Sequence, residues 1–105
     1  MEQKRRFIRL PTTLRAEYSL KGSGSRGGNC TVINISPGGA GLEFYSSEPI
    51  DVGATLVLKI FDSEKKETVD AEGVVKWSTQ GEKNFVCGVA LTDVLDKFAL
   101  SVLGV

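Results

Sequence analysis

Two short clusters in this chain hold residue types suited to anions and nucleobases. The first is Arg5-Arg6-Phe7-Ile8-Arg9, which sets two arginines four residues apart. A guanidinium is planar, permanently charged and carries five N–H donors in a fork. It pairs bidentately with phosphate, or offers two donors to O6 and N7 of guanine. Two arginines at this spacing, in a segment able to bend around a ligand, suit a guanine and a phosphate held together. The second cluster is Asn34-Ile35-Ser36-Pro37-Gly38-Gly39. Here an amide and a hydroxyl precede two residues without Cβ, which let a ring system approach the backbone. The same Asn and Ser types also cap turns by bonding nearby backbone. In the turn, Pro37 presets the first central φ and Gly38 is expected to take a positive φ after it. By strand alternation Asn34 shares a face with Cys30 and Val32, so its amide needs a partner there.

Much other chemistry is missing. The chain has no histidine, which removes Ser-His-Asp and Cys-His nucleophile activation and the commonest metal ligand. The carboxylates fall mostly in turns and on polar strand faces, and none forms an evident acid/base pair. Gly22-Ser23-Gly24-Ser25-Arg26-Gly27 matches GxGxxG, but a strand follows it where a dinucleotide site needs a helix. It reads as a hairpin loop. Cys30 and Cys87 stand alone among apolar, β-forming neighbours and read as buried reduced thiols. The expectation is a binding protein with no catalytic residues, no metal and no cofactor.

The elements that must position the two clusters are strands. Leu14 to Leu20 alternates apolar and polar residues, Cys30 to Ile35 is rich in β-branched types, and Gly41 to Tyr45 alternates again. Leu56 to Phe61, Val69 to Trp77 and Phe85 to Leu91 complete six. Thr92 has the character of an N-cap for a short helix with Val94, Leu95, Phe98 and Val102 on one stripe. The fold class is therefore all-β, an antiparallel barrel or sandwich with one short C-terminal helix. Trp77 carries two readings. Its parity with Val69, Ala71 and Val75 argues for a core side chain, whereas an outward ring would stack on a ligand.

Size and charge narrow the partners. A chain of 105 residues is one domain. We divide it into a basic arm over 1–12, a barrel over 13–91, and a helix and tail over 92–105. The formal net charge of zero hides an asymmetry. Residues 1–15 carry five cations against Glu2 alone, a net of +4, while residues 16–105 carry eight cations and twelve acids, a net of −4. An acidic body repels long nucleic acid, which is held through many phosphates. A small anion meeting the arm fits better. No apolar run is long enough to span a membrane, and the basic N-terminus lacks the apolar region of a signal peptide, so the expected location is the cytoplasm.

Taken together, Arg5-x-x-x-Arg9 and Asn34-x-Ser36-x-x-Gly39 resemble the two signature motifs of the bacterial PilZ family. Val74-Val75-Lys76-Trp77 and Phe85 to Leu91 resemble its fifth and closing strands, so the likeness covers nearly the whole chain. The resemblance implies a six-stranded barrel with a C-terminal helix that binds the second messenger cyclic di-GMP. It implies ligand contacts from Arg5, Arg9, Asn34, Ser36 and Gly39, with Arg6, Gly38 and Trp77 as auxiliary contacts. Asn34 stands where Asp is the commoner choice; it still accepts from guanine N–H, without the charge assistance of a carboxylate. The implied function is a receptor whose arm changes conformation on binding and so regulates an unidentified partner protein. The alternatives are a PilZ-like adaptor acting by protein contact without nucleotide, and a barrel for single-stranded nucleic acid. The latter class wants several exposed aromatics beside a basic groove, which this sequence does not offer.

Overall fold

Alternation becomes six strands, in a computed structural model that describes residues 10–22, 27–45, 50–62 and 66–104. They are β1 (Leu10–Leu20), β2 (Gly27–Ser36), β3 (Gly39–Phe44), β4 (Thr55–Phe61), β5 (Thr68–Gln80) and β6 (Phe85–Leu91), followed by helix α1 (Lys97–Val102). All neighbours are antiparallel, and the strands close into a barrel in the order β1-β2-β3-β6-β5-β4. Closure leaves no free sheet edge along most of the wall, which removes the usual liability of exposed strands. β1 starts earlier than the alternation at Leu14 suggests, and includes Pro11. Proline lacks an N–H to donate, so it is tolerated where a strand is paired on one side only. Pro11 meets that condition, because β1 pairs with β4 only from Ala16 to Leu20.

Between the points where the pairing register shifts, inward residues alternate with outward ones along the strands. Val32, Ile35, Ala40, Leu42, Leu56, Ile60 and Val75 are fully shielded from solvent. Phe44 stacks on its cross-strand partner Phe85 at 4.6 Å between ring centroids, and Tyr18 meets Phe44 edge-on at 4.8 Å. Such pairs add about 0.5–1.5 kcal/mol beyond the area they bury. Gly53, at φ 96°, lets the loop before β4 turn sharply, so that its N–H reaches the Val75 carbonyl at 2.8 Å.

After β6 the chain folds back over the barrel end where β1 begins. Leu91 N–H donates to Gly38 O at 3.0 Å, Thr92 N–H to Glu72 O at 2.8 Å, and Leu95 N–H to Pro37 O at 2.7 Å. The helix begins later than expected. Its N-cap is Asp96, not Thr92, and the Asp96 carboxylate accepts from Ala99 N–H at 2.8 Å. Both residues suit a cap, and the bonds to the 36–39 turn decide between them by holding 92–95 out of the helix. Val94, expected on the buried stripe, is consequently 60% exposed, while Leu95 and Leu103 are buried.

Cys30 and Cys87 are free and buried, as their neighbours suggested. Burial, and then the nearby Cys87, push the Cys30 thiol up to about 12; burial pushes Cys87 up to about 11. An unfolded thiol ionises near 9.0, so above that pH the folded chain holds protons that the unfolded chain has released. Stability therefore falls as pH rises from 9 towards 11. Melting temperatures measured across that window should fall less steeply in the Cys30→Ala/Cys87→Ala variant than in the parent chain. Equal slopes would refute this account.

Candidate functional site

Asn34 and Trp77 reach the outer wall through two irregularities in strand pairing. Between Val32 and Asn34, β2 has one residue more than β3; between Val75 and Trp77, β5 has one more than β6. An extra residue of this kind is a β-bulge, and beyond it the alternation of faces is inverted. The first bulge corrects the expectation that Asn34 shares the face of Cys30 and Val32. Beyond it Ile35 is the inward residue and Asn34 lies on the outer face, while Ser36, on the same parity as Asn34, is buried beneath the turn that follows. The second corrects the reading of Trp77 as a core side chain. Inward parity ends at Val75, and Trp77 lies on the outer face, 41% exposed.

The register aligns these residues. Asn34 pairs with Gly41 on β3, Gly41 with Gly88 on β6, and Gly88 with Trp77 on β5. Directly paired residues of antiparallel strands project to the same side. Asn34 and Trp77 therefore stand at the two ends of one outer row, with two glycines between them. Both side chains lean over that gap. A Cβ on Gly41 would lie 2.6 Å from Asn34 Nδ2, and one on Gly88 would overlap the Trp77 indole nitrogen. The adjoining row runs from Ser36 to Gly39 and on to Ala90. The β3 and β6 members of these two rows are thus only glycine and alanine, and the second row ends on β5 at Val74. A glycine inside a strand marks such a close approach, and this signal at Gly41 and Gly88 was open to sequence reasoning but unused.

Ser36 is 6% exposed, and its hydroxyl donates to Gly39 O at 3.4 Å, the long limit of a hydrogen bond. A direct contact with a ligand requires exchanging that local bond. Gly38 does not take the positive φ expected of it; among the described glycines only Gly22, Gly53 and Gly104 do. The Pro37-Gly38 turn is held instead by the backbone bonds from Leu91 and Leu95. Arg5, Arg6 and Arg9 lie outside the described residues. Their chain enters the wall at Leu10 and Pro11, which pair with Ile35 and Asn34. The arginine cluster is thus covalently joined to the end of the Asn34 row. Among the described residues no group of three or more Cys, Asp or Glu is placed to hold a metal, and no helix is long and apolar enough to cross a membrane.

A closed six-stranded barrel with a motif-bearing hairpin on its outer wall defines a small β-barrel binding domain. Residues 3–100 match the model of the PilZ domain, and the chain belongs to that family. PilZ domains are binding domains rather than enzymes, and cyclic di-GMP signalling is the family's known role. The fold is also that of the Bacillus subtilis inhibitor of motility MotI/DgrA, with a TM-score of 0.76 at 17% sequence identity. That likeness covers 97% of this chain but 48% of the other, so this chain spans about half of that protein. No curated protein sequence matches it.

The glycine gap yields a direct test. Trp77 is the chain's one tryptophan, so its emission reports on this row alone. Gly88→Ala should drive the indole off β6, shift its emission to the red, and cost on the order of 1 kcal/mol of stability. An unchanged spectrum would show that the ring does not rest on Gly88.

Proposed function

We propose that this chain is a cyclic di-GMP receptor domain. The outer row from Asn34 across Gly41 and Gly88 to Trp77 carries the reading. It provides a polar rim, a floor without bulky side chains and an aromatic face, as a planar base linked to phosphates requires. Arg5 and Arg9 take guanine edges and phosphates through charge-assisted bonds. Asn34 and Ser36 meet guanine's polar edge, and Gly39 leaves room for the ring. Arg6 and Gly38 make auxiliary contacts, and Trp77 stacks on a base. Ligand changes the conformation of the arm, and with it the surface offered to a partner protein in the cytoplasm. No cofactor or metal takes part, and the acidic body disfavours a nucleic-acid polymer.

Calorimetric titration of the full chain with cyclic di-GMP, with GTP and an oligonucleotide as controls, tests this reading. Arg5→Ala or Arg9→Ala should each weaken binding about ten- to a hundredfold, since a hydrogen bond to a charged group contributes about 1.5–3 kcal/mol. Asn34→Ala should lower affinity with little change in melting temperature. Ser36→Ala separates contact from support: lost affinity at constant stability marks a contact, and the reverse marks a turn cap. Wild-type affinity in both arginine variants would defeat the assignment.

A further inference from the structure

Beside the row that runs from Asn34 to Trp77, the outer wall carries a carboxylate that the proposed function does not use. Glu43 follows Gly41 by two residues on β3, between the core side chains Leu42 and Phe44, so it faces outward on the same side as Gly41. Two strand residues span about 7 Å. Its directly paired neighbours are Thr31 on β2 and Val86 on β6, neither of them charged. The nearest cation in that row is Arg15, on the far side of Thr31, and Glu43 makes no ion pair among the described residues.

The carboxylate is nevertheless held in place. Asn84, in the turn between β5 and β6, donates from Nδ2 to Glu43 Oε2 at 2.5 Å. The Tyr45 hydroxyl also bonds to it, and that bond, together with the charge of Glu43, pushes the phenol pKa up. A carboxylate has about four lone-pair sites, so two donors leave about two open. A glutamine oxygen would accept from Asn84 and Tyr45 as well. The negative charge is therefore not needed to support the turn.

An adjacent side chain gives the charge a use. Asn34 lies over Gly41, since a Cβ there would meet its amide at 2.6 Å. An amide and a carboxylate thus stand along one stretch of β3, the first able to donate and the second only to accept. The polar edge of guanine has the matching order: O6 accepts, and N1–H and the 2-amino group donate. Adenine has a donor in place of O6 and a lone pair at N1, which a carboxylate repels. A carboxylate without a cation is a poor neighbour for phosphate but a strong acceptor for N–H.

We propose that Glu43 is a specificity residue, whose carboxylate accepts the N1–H and 2-amino N–H of one guanine while the Asn34 amide donates to O6. Glu43 then supplies the charge assistance that Asn34 lacks. The inference rests on the cyclic di-GMP reading and adds to it the group that selects guanine among purines.

Titrations of the full chain with cyclic di-GMP, cyclic di-IMP and cyclic di-AMP test it. Hypoxanthine keeps O6 and N1–H but lacks the 2-amino group, so cyclic di-IMP probes that one bond. The parent chain should bind cyclic di-GMP at least about tenfold more tightly than cyclic di-IMP, and cyclic di-AMP more weakly still. Glu43→Gln should weaken cyclic di-GMP about ten- to a hundredfold and cyclic di-IMP less, so that the ratio between them narrows. That ratio, unlike either affinity, is insensitive to a loss of support for the wall. Equal binding of cyclic di-GMP and cyclic di-IMP by the parent chain would overturn the inference without recourse to a variant. A Glu43→Gln chain weakened towards both in the same proportion would overturn it too, as the mark of a supporting side chain, and so would unchanged affinities. In those outcomes the parent chain still binds cyclic di-GMP and the proposed function stands. A parent chain that binds no cyclic di-GMP ends both.

Discussion

A residue on a strand changes face only if the strand gains or loses one residue against its neighbour. This barrel relies on that constraint at the 33–34 and 76–77 positions. Without the extra residue in β2, the Asn34 amide would be driven into an apolar interior, where an unbonded polar group costs several kcal/mol in the least favourable case. Without the extra residue in β5, an indole would compete with Val75 and Val89 for a packed core. Each bulge solves a packing problem and brings a polar or aromatic side chain to the outer wall by the same displacement. The interior continues uninterrupted on the other parity, through Ile35 on β2 and Cys87 and Phe85 on β6.

The second organising feature is the set of three backbone bonds from Leu91, Thr92 and Leu95. They tie the hairpin turn that carries Ser36 and Gly39, the strand that carries Asp70 and Glu72, and the approach to α1 into one unit. Because backbone bonds hold it, side-chain substitutions on 92–96 leave the tie in place. The segment bearing Asp93 and Val94 is thereby fastened at one end to β5 and at the other to the turn.

The fold was legible because period-2 alternation holds over long enough stretches of the strands to mark them, and an antiparallel barrel is the economical way to bury six such faces. The site was legible only as two short motifs. Parity counting from Cys30 to Asn34, and from Val69 to Trp77, assumed unbroken strands, and neither bulge carries a residue type that betrays it. The helix start was misplaced because Thr92 and Asp96 are both good caps, and a long-range bond to Pro37 chooses between them. Pro11 hid the start of β1, since the missing partnership with β4 that permits it is a property of the closed barrel. The glycines at 41 and 88 were the one local sign that something lies flat on the wall.

The strand order also carries a consequence for assembly. The β2–β3 hairpin is local in sequence, yet the floor beside Gly41 is supplied by Gly88 on β6, more than forty residues later. Local hairpins close early, and pairings between distant segments pay a loop-closure cost first. During synthesis the motif hairpin therefore exists before its floor. A chain interrupted before β6 presents Asn34 and Ser36 with nothing beside them and a row of unpaired β3 backbone, an open template for intermolecular pairing. Completion of the Asn34–Trp77 row and burial of that edge are a single event, so a molecule that displays the whole row is also one whose barrel has closed.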